Sequence, residues 1–354
     1  MKIAIIGNEY EQQFPLIGYG GIESCVENLA LGLSKTAQQF CCIVPKRVEN
    51  EPKKNLYPFE IIEADFIPSK KSRRTVWDFM AKVKPILESY RPDIIWSQNA
   101  WSVDVPISLG IPVLTTMHDS HEREASWLNN SPLVYYRYIS KFQFKNWVTE
   151  AWQLPKSTQI YTGLDESEYD FSEVTGTYFL WVAGLGWGWE NKGLHLFAKL
   201  AKRNPHLHFI AYGSRRFSVE FKLFCATWNL KNFEFRGILR RGEMHREVFK
   251  NARAFIFPTQ IPETLGRTVL ESFSKGTPVL GSANGALPEL IQDCGVSTNS
   301  FDDLEQSLYM TFNRKKCFEN SLRFSVTEEV RRMVMTSQLI LSGNRISSLN
   351  DDNE

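Results

Sequence analysis

One stretch constrains this chain more than any other: the strand, loop and helix that run from Ala254 to Pro278. Ala254 to Phe257 is a short apolar run of the kind that forms a buried strand. Pro258, Gln260 and Pro262 then force a loop. From Leu265 to Lys275 the apolar residues Leu265, Val269, Leu270 and Phe273 recur at helical spacing, and Gly276-Thr277-Pro278 is a helix stop. Glu263 therefore stands at the loop tip, and Glu271 lies eight positions on, about two turns away. Where a strand's C-terminal end faces a helix N-terminus, open α/β sheets bind phosphorylated ligands. The backbone N–H groups of Leu265 and Gly266 are candidates to meet a phosphate, with no side chain at Gly266 in the way.

The rest of the chain alternates such strands with amphipathic helices, and its 354 residues suffice for two hydrophobic cores. A hydrophobic content of 43% and a charged content of 23% are ordinary for a globular protein. The net charge of +1 gives no reason to expect nucleic acid as a partner. The six cysteines form no Cys-x-x-Cys and have no histidine at ligand spacing, so a zinc site is not expected and reduced thiols are. The apolar start, Met1 to Gly7, is too short for a signal peptide, and no run of 18 apolar residues occurs, so the expectation is a cytoplasmic protein.

Glu263 and Glu271, framed by Pro262-Glu263-Thr264-Leu265-Gly266, Leu270-Glu271-Ser272 and Gly276-Thr277-Pro278-Val279, resemble the signature of the retaining glycosyltransferases of family 4, the glycogen-synthase-like group. The resemblance covers nearly the whole chain. It implies the GT-B fold: two Rossmann-like doubly wound α/β domains facing each other across a cleft. It also implies that Glu263 contacts hydroxyls of the donor sugar and that Glu271 binds the nucleotide ribose. Thr264, Leu265, Gly266 and Arg267 then lie along the donor, with loop amides holding a phosphate.

In the N-terminal half, Lys2 to Ile6 is a buried first strand, and Gly18-Tyr19-Gly20-Gly21 leads into a helix from Ile22 to Lys35. These glycines come too late after the strand for a dinucleotide fingerprint. They resemble instead the family's first-strand loop, where Gly20 and Gly21 let backbone approach donor phosphate or acceptor. A basic run at 70–74 precedes an amphipathic helix over 75–90 whose Trp77, Lys82 and Lys84 lie off its apolar face. Such a helix packs on a core or rests on an anionic membrane surface. Pro112 to Met117 is a strand ending in His118-Asp119, so His118 points into the ligand crevice of a doubly wound sheet. By the resemblance, His118 touches the donor sugar. Ser140 is the N-cap of a helix from Lys141 to Trp147.

A second Rossmann-like unit opens with the strand Tyr178 to Ala183, after a polar hinge over 169–176. In relatives the following loop supplies an Arg and a Lys to the diphosphate. Lys192 fits the second position, whereas Gly184 stands in the first, so half of that clamp is missing; Arg215, Arg216 and Arg267 are the candidates to replace it. Gly237 and Ile238 follow a later strand in the loop that lies against the nucleobase in the family. Phe301 to Asn313 and Thr327 to Leu341 read as helices.

The expected domains are 1–174 for the acceptor, 175–326 for the donor, and 327–354 as a helix crossing back to the N-terminal domain, plus a tail. The implied reaction moves a sugar from a nucleotide diphosphate sugar, UDP- or GDP-linked, to a hydroxyl of a glycan, lipid-linked or small-molecule acceptor. The anomeric configuration is retained through same-face attack, and Glu263, His118 and Lys192 are the catalytic set. No cofactor is expected, and no metal, because the chain has no Asp-x-Asp pair. A peripheral membrane contact goes with a lipid-linked acceptor. Two other readings fit the same residues: a sugar-nucleotide epimerase of the same fold, and a catalytically silent partner subunit, which the glycine at 184 would suit.

Overall fold

The structure is a computed structural model and describes residues 1–7, 21–46, 57–67, 73–99, 102–119, 128–149, 153–184, 190–213, 228–239 and 242–346. The chain divides into two compact units, Met1–Asp165 with Ser325–Glu354, and Glu166–Phe324.

The first unit is built on a seven-stranded sheet. Its strands are β1 (Lys2–Ile6), β2 (Gln39–Pro45), β3 (Glu60–Ala64), β4 (Ile94–Ser97), β5 (Val113–Met117), β6 (Val134–Tyr138) and β7 (Ser157–Gln159). They lie in the order β3-β2-β1-β4-β5-β6-β7, and every pair is parallel. A parallel sheet is covered on both faces, which is why β1 is apolar and buried from Ile3 to Ile6. Ile3 and Ile5 pack with Val26, Leu29 and Leu33 of the helix Gly21–Ser34 on one face. Ala4 and Ile6 pack with Val76, Phe79, Val83 and Leu87 of the helix Arg73–Tyr90 on the other. The apolar stripe of that second helix is thus spent on the core, while Trp77, 55% exposed, stands out from it.

The C-terminal helix Val326–Leu341 belongs to this unit. Ser325 caps it by accepting from the Glu328 N–H, and Leu164 O accepts from the Val326 N–H at 2.9 Å, so the chain re-enters beside the point where it leaves. Val326, Val330 and Met333 join the cluster around Ile3 and Ile5, and Trp96 Nε1 donates to Ser337 Oγ at 2.9 Å. An ion pair between Arg137 and Glu329, each side chain 1% exposed, fixes the helix to the sheet.

The second unit repeats the plan with β8 (Tyr178–Ala183), β9 (His208–Gly213), β10 (Phe233–Phe235), β11 (Ala252–Phe257), β12 (Val279–Gly281) and β13 (Gly295–Ser297). Their order is β10-β9-β8-β11-β12-β13, again all parallel. The residues entering this unit are docked on it: the Asp170 N–H donates to Ser274 O, and the Phe171 ring packs on Phe318. Arg314 donates to Ser172 O, Ala252 O, Lys250 O and Thr277 Oγ1, which ties the entering segment to the sheet.

Most elements read from the sequence are found, two helices differ in extent, and β7, β13 and a short helix Asp104–Ser108 are not among those expected. The helix after β11 spans Arg267–Phe273, because Gly266 before it adopts a left-handed backbone, φ 89°. The run expected as helix over 301–313 is a helix Phe301–Ser307, a turn, and a new helix Arg314–Ser321. Asn313 starts that new helix by accepting from the Lys316 N–H, and an N-cap cannot also be the interior of the preceding helix.

Candidate active site

In both sheets the strand order reverses once, between β1 and β4 and between β8 and β11. Loops leaving the carboxyl ends of the strands on either side of such a reversal diverge and leave a crevice. In the second unit those loops are the ones that carry Lys192, after β8, and Glu263, after β11. Separated by 71 residues in sequence, their side chains form an ion pair, with 15% and 12% of each exposed. The Lys192 ammonium also lies 5.7 Å over the Phe257 ring.

Local chemistry holds this pair in place. Trp181 Nε1 donates to Lys192 O at 3.0 Å, and the Gln260 N–H donates to Asn191 O at 2.8 Å. Gly193 follows with φ 73°, and a Cβ there would meet Pro258 O at 2.0 Å, so only glycine lets the two loops touch. Glu263 is fixed from its other side by Gly285, φ 66°, where a Cβ would meet the Glu263 N at 2.4 Å. Glu263 O accepts from the Ala286 N–H at 2.8 Å. The position of the Glu263 carboxylate is therefore set by backbone contacts on two flanks.

Glu271 is 8% exposed and engaged at both oxygens. Arg267 Nε donates to Oε1 at 3.0 Å, and His245 Nε2 lies 3.3 Å from Oε2. Arg267 also bonds Glu168 Oε1 at 3.1 Å, so one guanidinium bridges two carboxylates. Beneath them Lys275 is fully buried and donates to Glu168 O and to Ser274 Oγ. Burial lowers its ammonium to about 8, against the pull of the Glu168 and Glu271 charges. Of the candidates to replace a diphosphate-binding arginine, Arg267 is thus committed to carboxylates, and Arg215 and Arg216 lie outside the described residues.

The remaining donor candidates take these places. Gly184 directly follows β8, and Gly237, φ 76°, and Ile238, 36% exposed, follow β10. Thr264 is half-buried and Leu265 buried. Gly21 opens the helix Gly21–Ser34, whereas Gly20 lies outside the described residues.

In the first unit, His118 follows β5 and Gln98 follows β4, the adjacent strand. His118 Nε2 is 2.9 Å from Gln98 Oε1, and with a carbonyl oxygen accepting, the imidazole proton sits on Nε2. Burial, and then the Arg137 charge, push the ring down to about 3, while Asp119 works the other way. The imidazole is therefore neutral at any ordinary pH. Gln143, whose N–H is capped by Ser140, donates through its amide to Met117 O at 3.2 Å and Asp119 O at 3.4 Å, clamping the backbone on both sides of the histidine.

Sequence reasoning did not single out Gln98, Gln143, Glu168, His245 or Lys275 as parts of these sites. Gln98 carried a weak signal, as the polar end of an apolar strand. Glu168 carried none, because it reaches Arg267 across 99 residues.

Two doubly wound units in one chain are the parts of a GT-B fold. The comparisons agree. A family model described as "Glycosyltransferase Family 4" matches residues 19–165, and one described as "Glycosyl transferases group 1" matches residues 176–309. No curated protein matches the sequence. Among solved structures, sucrose-phosphate synthase from Thermosynechococcus elongatus is similar at a TM-score of 0.79 and 17% identity, over 97% of this chain and 100% of that one. HepE of Anabaena, in complex with UDP and glucose, gives 0.74 and 15%, over 96% and 99%. The catalytic domain of starch synthase IV from Arabidopsis thaliana, bound to ADP and acarbose, gives 0.72 and 12%, over 96% and 99%. With its two halves matched by glycosyltransferase models, the chain is a glycosyltransferase of the GT-B fold.

Proposed function

We propose that this glycosyltransferase is a retaining member of family 4. It moves a hexosyl group from a nucleotide diphosphate sugar, UDP- or GDP-linked, to a hydroxyl of a glycan, lipid-linked or small-molecule acceptor. The observation that carries the reading is the Lys192–Glu263 pair, a cation and a carboxylate fixed together at the strand-order reversal of the second unit. Donor binding opens the pair: Lys192 turns to the diphosphate and Glu263 to hydroxyls of the sugar. Among the described residues no group accepts from the N–H of Leu265 or Gly266, which leaves both for a phosphate oxygen. Glu271, held by Arg267 and His245, presents its carboxylate to the ribose. Neutral His118, its Nε2 proton engaged by Gln98, is the proposed sugar contact contributed by the first unit's sequence, and it carries no charge there. That HepE was solved with UDP-glucose and starch synthase IV with ADP supports a nucleotide sugar as donor.

In this reading the leaving diphosphate takes the acceptor proton on the face where the new bond forms, and the protein contributes positioning and charge. The two glutamates have separate partners, Lys192 for one and Arg267 with His245 for the other, which argues against a nucleophile and acid pair of the glycosidase kind. The diphosphate charge falls to Lys192 and backbone amides instead of a metal. No helix among the described residues is long and apolar enough to cross a membrane. A lipid-linked acceptor would be reached by peripheral contact through exposed Trp77 with Lys82 and Lys84.

The test is a panel of UDP-, GDP-, ADP- and CDP-sugars read by thermal shift and by slow hydrolysis without acceptor. One of them raises the melting temperature and is hydrolysed. Glu263→Gln and Lys192→Met each lower turnover by about 10²–10³, the size expected for a lost charge-stabilising group, with the fold intact by circular dichroism. Binding without turnover would favour the silent partner, to which Gly184 also points. No binding at all would end the nucleotide-sugar reading.

A further inference from the structure

Behind the loop that carries Glu263, the second unit has a pocket of about 230 Å³ that no part of the proposed donor site uses. It lies beyond the carboxyl ends of β11, β12 and β13, against the helices Leu194–Arg203 and Phe301–Ser307. Leu196, Pro258, Phe301 and Leu304 give it an apolar wall, and Gln260, Ser282, Asn284, Thr298, Asn299 and Ser300 give it hydroxyl and amide groups. Among the described residues no charged side chain lines it.

Two features mark it as more than a packing gap. Ser282 is 4% exposed, and its Oγ has no hydrogen-bond partner among the described residues. A buried hydroxyl left without a partner costs free energy, and a ligand that bonds it recovers that cost. The amides around it are each anchored by one end. Asn284 Nδ2 donates to Thr259 O at 2.7 Å, Gln260 Nε2 donates to Pro258 O at 2.8 Å, and Asn299 Oδ1 accepts from the Ala283 N–H at 2.9 Å. Their other ends, two acceptor oxygens and one donor nitrogen, take no protein partner among the described residues and are held ready for a ligand.

We propose that this pocket binds one neutral pyranose ring as a second carbohydrate site, separate from the donor site. A hydroxyl-rich ring with apolar C–H faces matches a lining of amides and hydroxyls beside Leu and Phe. With no cation among the described lining residues, a neutral ligand fits better than a phosphate, a nucleotide or a uronic acid. The volume points the same way, since drug-sized ligands fill about 300–1,000 Å³ and this pocket is smaller. Gln260 and Asn284 join the pocket to the backbone of Pro258 and Thr259, four or five residues before Glu263, so an occupied pocket stiffens the loop that places the carboxylate.

The test is saturation-transfer NMR on the full chain with glucose, galactose and mannose, and with glucuronate as the charged control. At least one neutral hexose receives saturation, glucuronate does not, and the signal survives Glu263→Ala. Ser282→Ala weakens binding roughly three- to tenfold, the worth of one hydrogen bond, while leaving the melting temperature at or above that of the parent protein. Asn299→Asp, which keeps an oxygen to accept from Ala283 but exchanges the free donor for a charged acceptor, weakens binding at least as much. The proposal is overturned if no hexose receives saturation, if glucuronate binds equally, or if binding is lost in Glu263→Ala yet untouched in Ser282→Ala.

Discussion

Replacing Glu329 with alanine tests how the C-terminal helix is held to the first unit. The carboxylate accepts from Arg137 Nη2 at 2.5 Å through one oxygen and from the Gly163 N–H at 2.7 Å through the other. Without it, Arg137 keeps three acceptors, Ile160 O, Tyr161 O and Thr162 Oγ1, but no counter-charge. Breaking a fully buried pair from one side costs about 3–5 kcal/mol, because the stranded charge stays out of water. The orphaned Gly163 N–H adds to this, though not in full, since the two effects share one site. For a unit of this size each kcal/mol moves the midpoint by roughly 2–4 °C, so Glu329→Ala lowers the melting of this unit by about 6–20 °C. Hydrogen exchange of the amides over 326–341 then reports the loss locally, as faster exchange in that helix than in β8–β13. The double variant Arg137→Met with Glu329→Leu removes both charges and recovers most of the loss. A Glu329→Ala protein that melts within about 2 °C of the parent, with unchanged exchange in the helix, would refute the argument from the buried charge.

Three further outcomes rest on the same kinds of contact. Gly285→Ala places a Cβ against the Glu263 backbone at a positive φ, so it destabilises the second unit by more than about 1 kcal/mol and lowers donor turnover, as thermal melts and a hydrolysis assay would show. His118 is neutral when folded, held down to about 3, and titrates near 6.5 when unfolded; the unfolded state therefore binds the extra proton between those values. Stability is full above about pH 6.5 and falls by about 2 kcal/mol at most by pH 5, a slope that His118→Asn flattens in denaturant melts at the two pH values. Arg267→Met strands Glu168 and Glu271 together beside buried Lys275, and is expected to weaken nucleotide binding at least tenfold in a titration of UDP or GDP, while Arg267→Lys recovers only part because lysine cannot fork to two carboxylates.

The elements of this chain were legible because their signals are local. Apolar runs such as Ile3–Ile6 and Tyr178–Ala183 are strands buried on both faces, and the stripe Val76, Phe79, Val83 and Leu87 is a helix lying on a sheet. Ser140 was readable as a cap because capping is a matter of three residues. The Phe301–Ser307 helix was read too long because apolar spacing does not register a cap. Asn313 is a cap and not helix interior only because its side chain accepts from the Lys316 N–H.

By itself the sequence determined two doubly wound units, the Glu263 to Glu271 spacing, and the presence of a lysine after the first strand of the second unit. Only the tertiary structure decided the partners: Glu263 to Lys192 across 71 residues, His118 to Gln98 on the neighbouring strand, and Arg267 shared between Glu271 and Glu168. Strand order is set by how crossovers pack helices onto a sheet, a property of the whole unit. Neighbours at the carboxyl ends of strands therefore leave no mark in the residues beside them. The anchored amides around Ser282 belong to the same class, since their arrangement exists only once three loops have met.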